Sequence, residues 1–403
     1  MASKASTSRP SAPRSMVGAK RREALTAFLY ILPAIIVLFV FRLYPFANAF
    51  YISLHKWSIL KEFYVGLQNY IDLFSDKAFG QSFGVTLYYV FFTVPFTMAL
   101  SLFIAYLLFQ RIKLRGLFRT LYFMPYITSL VPAAVAWQYI FNFQVGFMNY
   151  ALKGIGTFLS RVLGTVGHEP WVYLWMLLML AWLVWLLLTA KRRAWGATAL
   201  LALFAGGSLA LALFFRLRPA ALAVVTTELV EFFPVKWLQE PRGVIQYLGQ
   251  RWGFTVPSWA KGPSMALIAV SIVSIWHLLG YDVVIYLAGL GNVPGELYEA
   301  ARIDGANESQ VFWRITLPLL SPTTYFLMLI STIGAFRAFT LFFTMTGGGP
   351  LRTTTSVAYF IFDRFWNAIR AGYASAAAFV LLAVILVLTF VQQRAMANRV
   401  TYQ

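Results

Sequence analysis

Long apolar stretches separated by short polar or basic connections make up most of the chain. A bilayer core about 30 Å thick takes roughly 20 residues of helix at 1.5 Å each. About eight stretches meet that requirement, near 25–43, 83–109, 121–141, 171–190, 195–215, 263–288, 323–345 and 374–391. None alternates with the two-residue period of a half-buried strand, so the pattern predicts an all-α polytopic membrane protein. Pro33, Pro95, Pro125 and Pro132 fall inside these stretches. Neighbouring helices in a membrane bundle re-satisfy the carbonyls a proline frees, so kinked spans are expected rather than broken ones.

Composition narrows the picture. Of the residues, 60% are hydrophobic and only 12% charged, against about a quarter charged in soluble domains. The 33 Lys+Arg against 14 Asp+Glu give a formal charge of +19, which on an apolar chain marks membrane orientation rather than a nucleic-acid surface. Zero cysteines remove disulfides, thiolate ligands and thiol nucleophiles, and the histidines His55, His168 and His277 are too few and too scattered for a metal cluster.

Residues 1–20 are rich in Ser, Ala, Pro and basic groups with no apolar period, and are expected to be a disordered tail. The first apolar run follows Lys20, Arg21 and Arg22 but is long, aromatic and without a small-residue cleavage pattern, so it is expected to be a retained span.

Orientation follows from the basic residues. With the N-terminus inside, cytoplasmic segments hold Lys4, Arg9, Arg14 and Lys20–Arg22, then Arg111, Lys113, Arg115 and Arg119, then Lys191 to Arg193, Arg302, Arg314, Arg394 and Arg399. That is about half of all Lys and Arg in a minority of the non-membrane length, as the positive-inside rule requires. An even span count then places both termini in the cytoplasm. The loop 289–320 is acidic, carrying Glu296, Glu299, Asp304 and Glu308, and parity rather than charge puts it inside.

Residues 164–261 carry two spans joined by Lys191-Arg-Arg193 and then a proline-rich outer segment. Two added spans invert nothing downstream, so this stretch reads as an insertion. Residues 21–163 and 262–403 are then the two parts of a six-span core.

The acidic loop carries the most specific signal. Glu299-Ala300-Ala301-Arg302-Ile-Asp304-Gly305, nine further residues and Ile315-Thr-Leu317-Pro318 fit the pattern E-A-A, three residues, G, nine residues, I-x-L-P. In this loop the chain resembles the permease subunits of bacterial ATP-binding-cassette importers, in the carbohydrate-uptake group that includes the maltose and glycerol-3-phosphate permeases. The stretches Leu121 to Tyr126, Trp276 to Tyr281, Leu287 to Leu290 with Val293-Pro294, and Met345 to Pro350 share the resemblance, and residues 164–261 depart from it.

Physical reading of the loop is independent of the name. Glu299 to Ile303 can begin a short helix, Gly305 permits a sharp turn, 310–315 can form a second helix, and Pro318 is expected to end it before the next span. The resemblance implies that this helix-turn-helix docks on a cytoplasmic ATPase, with Glu299, Arg302 and Asp304 making charge-assisted contacts and Ala300 and Ala301 permitting close packing. The competing reading is an amphipathic loop helix held by its own ion pairs. The resemblance further implies a second permease subunit, two ATPases and an external solute-binding protein as partners, in the bacterial cytoplasmic membrane. No cofactor is expected in this chain, ATP and Mg being bound by the partner ATPases. Gly347-Gly-Gly-Pro350 lacks the following Gly-Lys-Ser/Thr of a phosphate loop.

Ionisable groups inside spans are default site candidates. His277, Asp282 and Arg337 stand out, with Asp282 about 10 Å and Arg337 about 22 Å above the cytoplasmic boundary at 1.5 Å per residue, too far apart in depth for a direct pair. Aromatic platforms suit sugar rings, which makes Tyr126, Trp276, His277, Tyr281, Phe336 and Arg337 the expected substrate pathway, although packing explains most of the aromatics. The expected activity is ATP-driven import of a sugar, oligosaccharide or polyol by alternating access, without catalysis in this chain. An ion-coupled secondary transporter is the alternative, with Asp282 its lone carboxylate inside a span.

Overall fold

The computed structural model describes residues 15–58, 61–109, 115–166, 235–252, 255–257 and 260–396. Its helices are α1 (Ser15–Leu38), α2 (Tyr44–Ser53), α3 (Gln68–Ser75), α4 (Lys77–Phe109), α5 (Arg115–Ile127), α6 (Leu130–Ile140), α7 (Phe147–Val166), α8 (Val244–Trp252), α9 (Met265–Gly291), α10 (Gly295–Ile303), α11 (Glu308–Val311), α12 (Ser321–Phe336), α13 (Thr340–Thr346), α14 (Val357–Phe362) and α15 (Ala371–Met396). Among the described residues one hairpin, β1 (His55–Ser58) with β2 (Lys61–Tyr64), pairs His55 with Tyr64 and Ser58 with Lys61 in antiparallel register.

Four helical segments are long and apolar enough to cross a membrane, namely Glu23–Ser53, Lys77–Phe109, Met265–Gly291 and Ala371–Ala395. Two bent pairs bring the number to as many as six among the described residues: Gly116–Ile127 with Leu130–Ile140, at 98°, and Glu308–Leu319 with Ser321–Phe336, at 62°. The expected spans 171–190 and 195–215, and with them residues 167–234 of the expected insertion, lie outside the described residues.

Three sequence expectations need correction. Helix α1 already begins at Ser15, inside the expected tail, because Ala19 to Arg22 are good helix formers and prolong the first span. The run 323–345 is not one helix: α12 stops at Phe336, and α13 is a separate short helix after Arg337. The run 121–141 is likewise divided by the sharp bend at Thr128 and Ser129.

The chain forms two compact units, Met1–Gly80 with Phe360–Val387 and Gln81–Tyr359 with Leu388–Gln403. In the first, the buried side chain of Asn69 donates to the carbonyls of Ser53 (2.8 Å) and His55 (3.0 Å), tying α3 to the end of α2 and the start of β1. Burial alone would raise the Asp76 carboxyl, but the Ala78 N–H, the Tyr373 hydroxyl and Arg364 hold it below the ordinary carboxylate value. Asn69→Ala leaves two buried carbonyls without their donor and is expected to cost about 1–3 kcal/mol. Thermal unfolding of the purified protein measures this, and an unchanged midpoint would show that water replaces the amide.

In the second unit, Ser82, Thr86, Tyr89, Thr93, Thr97 and Ser101 of α4 are all buried. Their spacing of three and four residues lays one small, polar stripe along the helix, the surface by which membrane helices approach closely. Tyr89 and Ser274 of α9 share a hydrogen bond of 2.6 Å, and Ser101 donates to the Leu279 carbonyl at 3.4 Å. Below them Ala105, Leu108, Val283, Tyr286, Leu290, Leu320 and Leu327 form a continuous apolar core.

Candidate functional site

Helix α9 carries the site because its residues 274, 277, 278, 281 and 282 recur at helical spacing on one face. Together with Tyr89, Tyr126, Leu130 and the C-terminal half of α12 they enclose a cavity of about 350 Å³. Gly280 sits where α9 meets α5: a Cβ there would run into the Tyr122 carbonyl oxygen and lie 2.9 Å from the Cα of Phe123. That close approach brings the Tyr126 ring within 5.0 Å of Tyr281 and 5.8 Å of His277, centroid to centroid. The result is an aromatic shelf edged by polar groups.

Arg337 follows the last turn of α12, where its backbone N–H caps Ile333 and Gly334, and its exposed side chain borders the same cavity. Asp282 is 2% exposed, and its Oδ2 has no hydrogen-bond partner among the described residues; Nδ1 of His277 is equally without one. No ion pair joins Asp282 to Arg337 among the described residues. Asp282, an intramembrane candidate from the sequence but not one of the expected pathway residues, lies on the cavity wall.

Of the expected pathway residues, Tyr126, His277, Tyr281 and Arg337 line this cavity. Trp276 and Phe336 do not. Trp276 meets Trp137 edge to face at 5.4 Å. Phe336 is 1% exposed and lines a separate apolar crevice with Phe91, Met98 and Tyr286. Each lies one position from a cavity residue, and one helical step turns a side chain by about 100°.

The acidic loop folds as two short helices with a defined corner. Helix α10 begins at Gly295, ahead of the expected Glu299, with Glu296 in its first turn and Arg302 in its last, both favourable to the helix dipole. Gly305 has φ +76°, and the Ala306 and Gly305 N–H groups bond the Ala301 (2.9 Å) and Arg302 (3.1 Å) carbonyls, a Schellman cap. Asn307 and Gln310 then form a reciprocal capping box that starts α11. A wider π-helical turn, Phe312–Thr316, follows, and the helix resumes at Leu317–Leu319. Pro318 therefore lies within the helical path, and the break comes at Leu320.

Glu299, Ala300, Arg302, Asp304, Gly305 and Pro318 are exposed, Ile315 and Leu317 are half-buried, and Ala301 is buried against its own chain. Arg302 and Glu308 stand 3.8 Å apart on the surface. Ile303 is 86% exposed and Trp313 63%, so the knob offers apolar as well as charged surface. It is braced from within by Tyr298 and Thr316, 3.3 Å apart, and from α4 by the edge-to-face contact of Tyr106 with Phe312 at 4.9 Å.

The loop 345–350 is also fixed. Gln138 donates to the Thr344 and Met345 carbonyls at 2.8 and 3.0 Å, Thr355 donates to Gly348 at 3.0 Å, and Gly347 and Gly348 have φ of +55° and +78°. Among the described residues, no three His, Asp or Glu side chains gather as a metal site would require.

Residues 244–402 match the family of binding-protein-dependent transport system inner membrane components. Among curated proteins, the chain is 27% identical to the trehalose/maltose transport system permease protein MalF of Thermococcus litoralis, over 92% of each chain. It is 24% identical to the sn-glycerol-3-phosphate transport system permease protein UgpA of Agrobacterium fabrum, over 93% of this chain and 96% of that one. In fold it is similar to a chain of a bacterial ABC transporter involved in the import of the acidic polysaccharide alginate, with a TM-score of 0.62, 19% identity and coverage of 96% of this chain and 100% of the other. The matched region contains both the knob and the α9 wall of the cavity, in a chain whose described residues hold four to six segments long and apolar enough to cross a membrane.

Proposed function

We propose that the chain forms half of the translocation path for a sugar, oligosaccharide or related polyol and works by alternating access. One observation carries this reading: the exposed knob lies between the ends of the two helices that line the cavity. Helix α9 continues from His277 on the cavity wall down to its end at Gly291 and leads into α10. The second half of the knob passes through the 62° bend into α12, which ends at the cavity beside Arg337. A push on the knob therefore reaches both walls. The aromatic shelf and mixed polar groups suit a hydroxyl-rich solute, and the relatives named for trehalose/maltose and sn-glycerol-3-phosphate transport support that class.

The partners in this reading are a second permease subunit, two ATPases that bind ATP and Mg, and an external binding protein; the matched family's description, binding-protein-dependent transport, supports the last of these. Both termini and the knob face the cytoplasm, and Glu299, Arg302 and Asp304 meet the ATPase. An impermeant thiol reagent tests the sidedness directly, because a cysteine introduced at exposed Ser309 would be the only thiol in the chain. Labelling from outside intact cells would overturn the assignment.

Tyr126→Ala removes the centre of the shelf. It is expected to raise the KM for uptake by about tenfold, the equivalent of one lost aromatic contact, with little effect on assembly. Uptake in vesicles that persists on ATP with an uncoupler present supports the importer, and uptake abolished under those conditions favours the ion-coupled alternative built on Asp282.

A further inference from the structure

The first unit holds a second cavity of about 920 Å³, bordered by β1, α3, the 368–370 loop and the start of α15. Its frame is rigid. Asn69 is spent on the Ser53 and His55 carbonyls, and Asp76 accepts from the Ala78 N–H at 2.7 Å and the Tyr373 hydroxyl at 2.9 Å and faces Arg364 at 3.7 Å. Gly372 packs so tightly on the His55 carbonyl that no Cβ fits there. Ile369, on the cavity wall, has φ +54°, a conformation that β-branched residues rarely adopt.

Other groups on the wall remain available. Lys56 and Arg370 have no ion-pair partner among the described residues. Among the described residues Asp72 accepts only from Gln68, at 2.7 Å, and the half-buried Trp57 ring borders the same space. Charges of both signs share one wall, so a ligand carrying a single charge meets like charge there as well as opposite, from Asp72 and Asp76 or from Lys56 and Arg370. A hydroxyl both donates and accepts, and satisfies either kind of group.

We propose that this basin is a binding site for a neutral carbohydrate. Trp57 supplies an apolar platform for one face of the ring, and Asp72, Lys56 and Arg370 bond its hydroxyls. The assignment rests on the lining of the basin itself and not on the role given to the α9 cavity.

The test uses the full chain, in which Ala368→Cys on the basin wall provides the only thiol for an environment-sensitive fluorophore. Maltotriose, cellotriose and xylotriose are titrated as neutral probes, with sulfate and tetramethylammonium as charged ones. At least one trisaccharide is expected to give a saturable emission change, weakened about tenfold by Trp57→Ala and by Arg370→Gln, while the charged probes give none. Circular dichroism and thermal unfolding confirm that the variants are folded. Silence with all three sugars, an undiminished response in both variants, or a stronger response to a charged probe would overturn the proposal. Uptake is not the readout, so failure of the transport reading leaves this result standing.

Discussion

Gly305→Val abolishes coupling: uptake falls to background and the ATPase no longer co-purifies, while the chain still inserts in the membrane. At φ +76° this position lies in the left-handed region, which costs an L-residue about 1–2 kcal/mol and a β-branched one more. Relaxing that strain means giving up the Schellman bonds from Gly305 and Ala306, so α11 leaves α10 at a different angle. A penalty of about 2 kcal/mol lowers the ratio of correctly folded to misfolded knobs roughly thirtyfold. Open space surrounds the position of the added Cβ, so the effect comes through the backbone and Gly305→Ala should be milder. Pull-down of the ATPase and uptake in vesicles measure it, and unchanged values for both would remove the knob from the mechanism.

The second large effect is expected at Gly280→Val. Here the constraint is contact, because any Cβ meets the Tyr122 backbone and α5 has to move away from α9. Overpacking in a core typically costs 1–3 kcal/mol, and backbone against backbone leaves no side chain to give way, so loss of the folded protein is expected. Gly280→Ala should survive with a lower unfolding temperature and weaker solute affinity, since Tyr126 is carried on the displaced helix. Equal thermal stability of Gly280→Ala and the unsubstituted protein would mean that the two helices separate without consequence.

These two glycines show what was legible in the sequence. Gly305 stands inside a motif whose chemistry is local, so its left-handed turn followed from neighbouring residues alone. The tight contact at Gly280 depends on a partner more than 150 residues away, which no local period reveals. Apolar run length located the described spans well, because a bilayer imposes one length on every crossing. It missed the break at Arg337 and the bend after Ile127, since uninterrupted apolarity says nothing of direction. Helical phase could have separated His277 and Tyr281 from Trp276, for the first two lie four residues apart and the third falls off their face.

The bend before α12 has a geometric consequence. With 16 residues, this helix is a rigid arm about 24 Å long, hinged at one end by Leu320 and ending at the solute chamber. An arc of only about 5° at the hinge sweeps the far tip by about 2 Å. Under the proposed alternating access, a modest stroke at the membrane surface is thereby magnified at mid-depth, and no helix need unwind for the cavity to change the side it faces.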